Sequence, residues 1–405
     1  MHFSTPSALF MSGEITMSNP LKITSIDLHH YSFTSQDMGV DYNGFNSVYQ
    51  HGAHTQRSGY VLQIHTDQGI TGEYSGGNGP GYAQLDMFAH YLIDRNPLQR
   101  ELIHNDVKRA LRKFDRMGMG PVDIALWDIA GKVYNAPVNE LLGGFRQTLP
   151  AYASTYHGDE NGGLGSPEAF ADFAEQCLEM GYRAFKIHGW GNAPIEREVA
   201  NVHAVGRRVG GKMDLMIDPA CEYNTFADTL KVGRACDEQN FFWYEDPFKD
   251  TGISFYAHRK LRQLIKTPLL IGEHIRSVEP KVDALIAEAT DYVRVDPDYD
   301  MGITGAMKIA HAAEGFGLDV EIHAPGPAQR HLMAAIRNTN YYELGLVHPK
   351  MVSSSPPVFA GDYSDNLDSI DTNGHVPVPT GPGLGVTLDW DFIEAHRTGL
   401  KSYPG

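Results

Sequence analysis

Short apolar runs that each end on a polar residue dominate the second half of this chain, and stretches with helical spacing separate them. Before about residue 146 the pattern is different. Tyr60-Val61-Leu62-Gln63-Ile64-His65 alternates as a strand, turns at Asp67-Gln68-Gly69 and returns through Ile70-Thr71-Gly72, which predicts a hairpin. Tyr82, Leu85, Phe88 and Leu92, and then Val122 to Val133, recur at helical spacing, so the first region reads as an α+β unit with sheet first and helices second. Past residue 146, strand and helix signals alternate. Ser166-Pro167-Glu168 supplies an N-cap, a proline at the first helical position and an acid in the first turn of a helix that stops at Gly181, before Ala184-Phe185-Lys186. Ile195, Val199, Val202, Val205 and Val209 then form one stripe ahead of the strand that closes on Asp218. So many polar residues at strand ends favour a parallel (β/α) barrel; an open doubly wound sheet is the alternative.

The divisions that follow are a disordered tail over 1–16, an α+β capping domain over 17–145, a (β/α) barrel over 146–375 and a C-terminal segment over 376–405. With 405 residues the chain exceeds one ordinary core, and 42% apolar residues supports real ones. The charge balance is 33 − 50 = −17 without a basic stripe, which argues against nucleic acid and anionic membrane as partners. No segment approaches the roughly 18 consecutive apolar residues a membrane helix needs, and the N-terminal stretch Ala8-Leu9-Phe10-Met11 is too short for a signal peptide. Cys177, Cys221 and Cys236 are too few and scattered for a disulfide framework, so a reducing, cytoplasmic setting is expected.

Asp218, Glu245 and Glu273 close three of the apolar runs, at intervals of 245 − 218 = 27 and 273 − 245 = 28 residues. A strand-helix-strand unit takes about that many residues, so three carboxylates converge on one rim of the barrel. Their mutual repulsion calls for a hard divalent cation, and oxygen-only ligation suits Mg²⁺. Asp296 and His323 end the next two strands, where the carboxylate can orient the imidazole and make it a general base. On the other flank Lys186 and His188 share a strand face; Lys186 can neutralise a substrate carboxylate, and its charge leaves His188 available as a second catalytic base. Glu343 closes the last strand.

These residues resemble the enolase superfamily, and within it the mandelate racemase subgroup, over nearly the whole chain from about residue 22. Gly69-Ile70-Thr71-Gly72-Glu73, Asp123-Ile124-Ala125-Leu126-Trp127-Asp128 and Leu141-Leu142-Gly143-Gly144 are similar to its capping-domain motifs. Pro382-Gly383-Leu384-Gly385-Val386 is similar to the segment that returns to that domain. The resemblance implies that Asp218, Glu245 and Glu273 bind Mg²⁺, that His323 and Asp296 form a His-Asp dyad, that Lys186 handles the substrate carboxylate and that Glu343 acts beside it. It implies a homo-oligomer. One position departs: the subgroup's Lys-x-Lys reads Lys186-Ile187-His188 here.

The reaction implied is removal of a proton next to a carboxylate. With one lysine replaced, elimination of a β-hydroxyl, which a single histidine can serve twice, is expected over two-base racemisation: an acid-sugar dehydratase acting on a small-molecule carboxylate, with a racemase or epimerase as the alternative. A metal-dependent hydrolase would show paired histidines on the first strand instead of Tyr152-Ala153-Ser154-Thr155-Tyr156-His157. Ser35 to Arg57 reads as a long loop acting as a lid, which brings Tyr42, His51, His54 and Arg57 to the substrate, together with Trp190. His51-x-x-His54 lacks a second ligand pair and is not assigned a metal. Gly76-Gly77-Asn78-Gly79-Pro80-Gly81 reads as a turn.

Overall fold

The computed structural model describes residues 20–351 and 355–405. The tail expected over 1–16 lies outside the described residues. The first unit opens with β1 (Ile23–Val40) and β2 (Ser47–Thr66), an antiparallel pair, and β3 (Thr71–Ser75) adds antiparallel to β2. Ile26, Leu28, Leu62 and Ile64 are buried on the sheet's inner side. Helices follow: α1 (Gly79–Leu85), α2 (Ala89–Leu92), α3 (Arg100–Ala110), α4 (Met119–Tyr134) and α5 (Val138–Leu141). Their apolar faces, including Leu85, Leu92, Val107, Leu126 and Ile129, share one core with the sheet.

Two expectations are corrected in this unit. Ser35 to Arg57 is not an irregular loop. It is the far half of the β1–β2 ladder, with Ser35 paired to Thr55 and Gln36 to His54, and the chain turns between Val40 and Ser47. Polar side chains on both faces hide the period-two signature of a strand here. Gly76 to Gly81 also does more than turn, because the Asn78 side chain accepts from the Gly81 N–H at 2.9 Å and starts α1. Pro80 sits in the first helical turn, where its missing N–H costs nothing.

The second unit alternates strand and helix: β4 (Thr148–His157), α6 (Pro167–Met180), β5 (Ala184–His188), α7 (Ile195–Val209), β6 (Asp214–Ile217), α8 (Phe226–Gln239), β7 (Trp243–Glu245), α9 (Phe255–Arg262), β8 (Leu269–Ile271), α10 (Val278–Ile286), β9 (Tyr292–Val295), α11 (Gly302–Gly315), β10 (Asp319–Ile322), α12 (Pro327–Ala335) and β11 (Tyr342–Val347). Strands β4 to β10 pair in parallel in chain order, and β11 returns to lie parallel to β4. Ser154, Lys186, Met216 and Trp243 stand in register across the first four strands. Tyr152, Ala184, Met216, Trp243 and Leu270 pack together as an interior layer of the curled sheet. The site is built above that layer.

The chain end ties the two units together. After β12 (Phe359–Ala360), β13 (His375–Pro377) pairs antiparallel with β4; β14 (Thr387–Leu388) and α13 (Trp390–Ala395) lead into β15 (Arg397–Pro404), which pairs antiparallel with β1. Side chains from α4 complete the junction. Asp123 accepts from Thr304 N at 2.8 Å and Thr304 Oγ1 at 2.7 Å, and Asp128 accepts from Leu384 N at 2.8 Å and Glu73 N at 2.9 Å.

Candidate active site

Parallel strands deliver their last residues to a common rim, and the eight polar residues expected there meet on it. Asp218 follows β6, Glu245 ends β7, Glu273 lies two residues past β8, Asp296 and His323 follow β9 and β10, and Glu343 is in β11. Oxygens of Asp218, Glu245 and Glu273 lie within 4.8 Å of one another. Lys186 reaches into this cluster: its Nζ is 3.1 Å from Glu245 Oε2, 3.4 Å from Asp218 Oδ2 and 3.0 Å from Glu343 Oε1. Burial works against its charge, but Glu245 and Glu343 hold its pKa well above the usual value.

Three side chains not singled out from the sequence complete the cluster. Arg294 is fully buried; its Nε donates to Glu245 Oε1 at 2.7 Å, its Nη2 reaches the same oxygen, and its Nη1 lies 3.3 Å from the Ile322 carbonyl. The signal was present, since a residue two before Asp296 on a strand faces the same way. Trp243 Nε1 donates to Glu245 Oε2 at 3.2 Å. Asp246 is the opposite case: buried, with neither carboxylate oxygen hydrogen-bonded. Burial, and then Glu245, Glu273 and Asp218, push its pKa well above the ordinary value. An unpartnered buried carboxylate beside three others is the arrangement a hard divalent cation would relieve, so the donor set fits Mg²⁺.

Opposite Lys186, His323 Nδ1 lies 2.5 Å from Asp296 Oδ2, and the other Asp296 oxygen accepts from Asp298 N at 2.7 Å. His323 Nε2 is 3.6 Å from Glu273 Oε1. Burial disfavours the imidazolium, but Glu273 and Asp296 outweigh it and raise His323 to about 10. His188 is held differently. Its Nδ1 is 2.7 Å from the Thr155 carbonyl, which can only accept, so Nδ1 carries the hydrogen. Nε2 therefore faces Asp218 Oδ2, at 3.2 Å.

Comparison with known sequences decides the family. The profile described as "Enolase C-terminal domain-like" matches residues 169–392, and that of "Mandelate racemase / muconate lactonizing enzyme, N-terminal domain" matches residues 47–143. The chain belongs to the enolase superfamily, in its mandelate racemase subgroup. Among curated relatives, a D-gluconate dehydratase of Thermoproteus tenax is 27% identical over 71% of this chain and 57% of its own length. This chain thus spans little more than half of that relative. A D-galactarolactone cycloisomerase of Agrobacterium fabrum is 29% identical over 84% of this chain and 92% of its own. In structure, D-glucarate dehydratase from Agrobacterium tumefaciens, complexed with magnesium, superposes with a TM-score of 0.80 at 28% identity, covering 93% of this chain and 99% of that one.

In this enolase-superfamily enzyme the β1–β2 hairpin reaches across the barrel mouth. Val48 pairs with His157 at the end of β4, Asn161 Nδ2 donates to the Tyr49 carbonyl at 2.8 Å, and Asn46 Nδ2 lies 3.3 Å from Glu222 Oε1. The expected substrate-binding residues of the hairpin are not brought to the carboxylates. Tyr42 and His54 are exposed, His51 projects outward beside Asp37, and the Arg57 guanidinium lies 5.7 Å from the Phe33 ring. Trp190 is a further correction: its ring packs edge-on against Phe170 and under the Arg197 guanidinium, and its Nε1 donates to the Asp159 carbonyl at 3.3 Å. Glu198 of α7 accepts from Trp190 N at 2.8 Å. A cavity of about 750 Å³ instead opens beside the dyad, walled by Tyr31, Phe33, Tyr74, Asp298, Pro325 and Tyr363. Asp298 lies two residues past Asp296, and Pro325 two past His323.

Proposed function

We propose that this enzyme dehydrates a sugar acid, an aldonate or aldarate, to a 2-keto-3-deoxy acid. One observation carries the choice. His188 is bound through Nδ1 to a backbone carbonyl and turned onto Asp218, whereas His323 is held by Asp296 at the partly open end of the cluster. One histidine is therefore equipped to move protons at the substrate.

Mg²⁺ held by Asp218, Glu245 and Glu273 would polarise the substrate carboxylate and offset the Glu273 charge that keeps His323 protonated. Lys186 pairs with the carboxylate as negative charge develops on it. His323 takes the α-proton, and Asp296 stabilises the resulting imidazolium. The same proton then passes to the β-hydroxyl as its C–O bond breaks, so water departs and an enol remains. The enol tautomerises to the 2-keto acid.

Incubating the protein and Mg²⁺ with a panel of aldonates and aldarates tests this; 2-keto acid should form, and should not form with His323→Asn. Because a cycloisomerase is among the relatives, proton transfer without loss of water is the second reading. Exchange of the α-hydrogen for deuterium with no keto acid across the panel would select it.

A further inference from the structure

The two site residues contributed by β9, Arg294 and Asp296, flank Val295, and the backbone on both sides of Val295 is held by one ion pair outside the site. Lys281, in α10, donates from Nζ to the Arg294 carbonyl at 2.6 Å and to Asp300 Oδ2 at 2.5 Å. The same Asp300 oxygen accepts from Asp296 N at 2.9 Å, and Asp300 Oδ1 accepts from Ser277 N at 2.9 Å. Both side chains are buried, at 2% and 1% exposure. None of these contacts involves a group expected to touch substrate.

A buried ion pair is a poor way to obtain stability, since apolar replacements of similar volume are often as stable or more so. Its geometry has a more specific use. We propose that Lys281 and Asp300 are positioning residues, a clamp on the end of β9 that aims Asp296 at His323 and Arg294 at Glu245. Lys281 bonds the Arg294 carbonyl and Asp300 the Asp296 N–H, while the Lys281–Asp300 contact joins the two, so the side-chain directions of Arg294 and Asp296 are set together. The 2.5 Å Asp296–His323 contact and the 2.7 Å Arg294–Glu245 contact both depend on that setting. A displacement of about 1 Å at such a point lowers turnover by orders of magnitude.

The functional half of this inference rests on the proposed role of the His323–Asp296 dyad, so the test pairs turnover with a measurement that needs no substrate. Lys281→Met/Asp300→Leu in the full chain removes both charges while conserving volume. The expected result is a folded protein with a cooperative thermal transition, a crystal structure in which the Asp296 carboxylate has moved from His323 by about 1 Å or more, and kcat on the sugar acid turned over by the parent reduced at least about tenfold with KM within about threefold. Asp300→Asn, which retains an acceptor for Asp296 N–H, should restore the Asp296 position and most of kcat. An undisplaced Asp296, or kcat within about twofold of the parent, overturns the clamp. If the double variant does not fold, Lys281→Met alone is read by the same two criteria. If the parent turns over no sugar acid, the proposed reaction fails while the displacement of Asp296 still decides for or against the clamp.

Discussion

Replacing Arg294 by Met should unsettle the centre of the barrel more than any exposed charge change. The guanidinium is fully buried and serves Glu245 through Nε and Nη2, and the Ile322 carbonyl through Nη1. Met fills much of the same space, so the loss is electrostatic: Glu245 stays buried with Lys186 and the Trp243 N–H as its remaining partners. Breaking a buried pair from one side costs about 3–5 kcal/mol, and the surviving Lys186 contact places the expectation at about 3. For a chain of 405 residues, with an unfolding entropy of about 2.1 cal/mol/K per residue, that is a fall of roughly 4 °C in midpoint. Urea titration followed by tryptophan fluorescence is the assay, and the Trp243 ring, 5.8 Å from the guanidinium carbon, is one of four tryptophans that report the unfolding. A variant within about 1 kcal/mol of the parent would refute the pairing as the support of Glu245.

Mg²⁺ at about one hundred times its dissociation constant should stabilise the protein by about 2.7 kcal/mol, and Asp218→Asn should abolish the shift; an equal shift in that variant, read by calorimetry, removes Asp218 from the ligand set. Glu198 is buried and raised to about 7, by burial above all, so the folded protein keeps a proton there that the unfolded chain releases near 4.5. Stability from this group is therefore full below about pH 4.5 and lost as pH rises to 7, and Glu198→Gln should gain roughly 3 kcal/mol on the parent at pH 8 but nothing at pH 4, measured by denaturant titration. Trp190→Phe should lose about 1–2 kcal/mol from the Arg197 stacking and the Asp159 bond while leaving KM within about twofold; a large rise in KM would return Trp190 to the substrate.

Which parts of this were legible in the sequence follows from how each is encoded. A strand end is a local signal, an apolar run closed by one polar residue, so Asp218, Glu245 and Glu273 could be placed on one rim from spacing alone. Arg294 sits inside its run, where the strand period puts it on the face of Asp296, but its partner is identified only when β7 and β9 bring Glu245 within 2.7 Å. The far half of the hairpin failed for the converse reason: a ladder that is polar on both sides has no period-two pattern, and its strands are recognisable only by pairing. Trp190 lies two residues past β5 and reads as a substrate residue, but its ring is taken up by Phe170, Arg197 and the Asp159 carbonyl, partners that only the folded chain brings together.

The charge count draws these residues into one requirement. Asp218, Glu245, Asp246, Glu273, Asp296 and Glu343 bring six carboxylates to the rim, against the fixed cations Lys186 and Arg294. The carboxylates outnumber these cations, and burial together with Glu245, Glu273 and Asp218 pushes the Asp246 pKa well above its ordinary value, so the excess is what a divalent cation would relieve. Arg294 is half of the fixed positive charge, and without it Glu245 keeps Lys186 as its ionic partner. The buried arginine thus belongs to the metal requirement as much as to the stability of the barrel, and the Arg294→Met and Mg²⁺ experiments examine two sides of one balance.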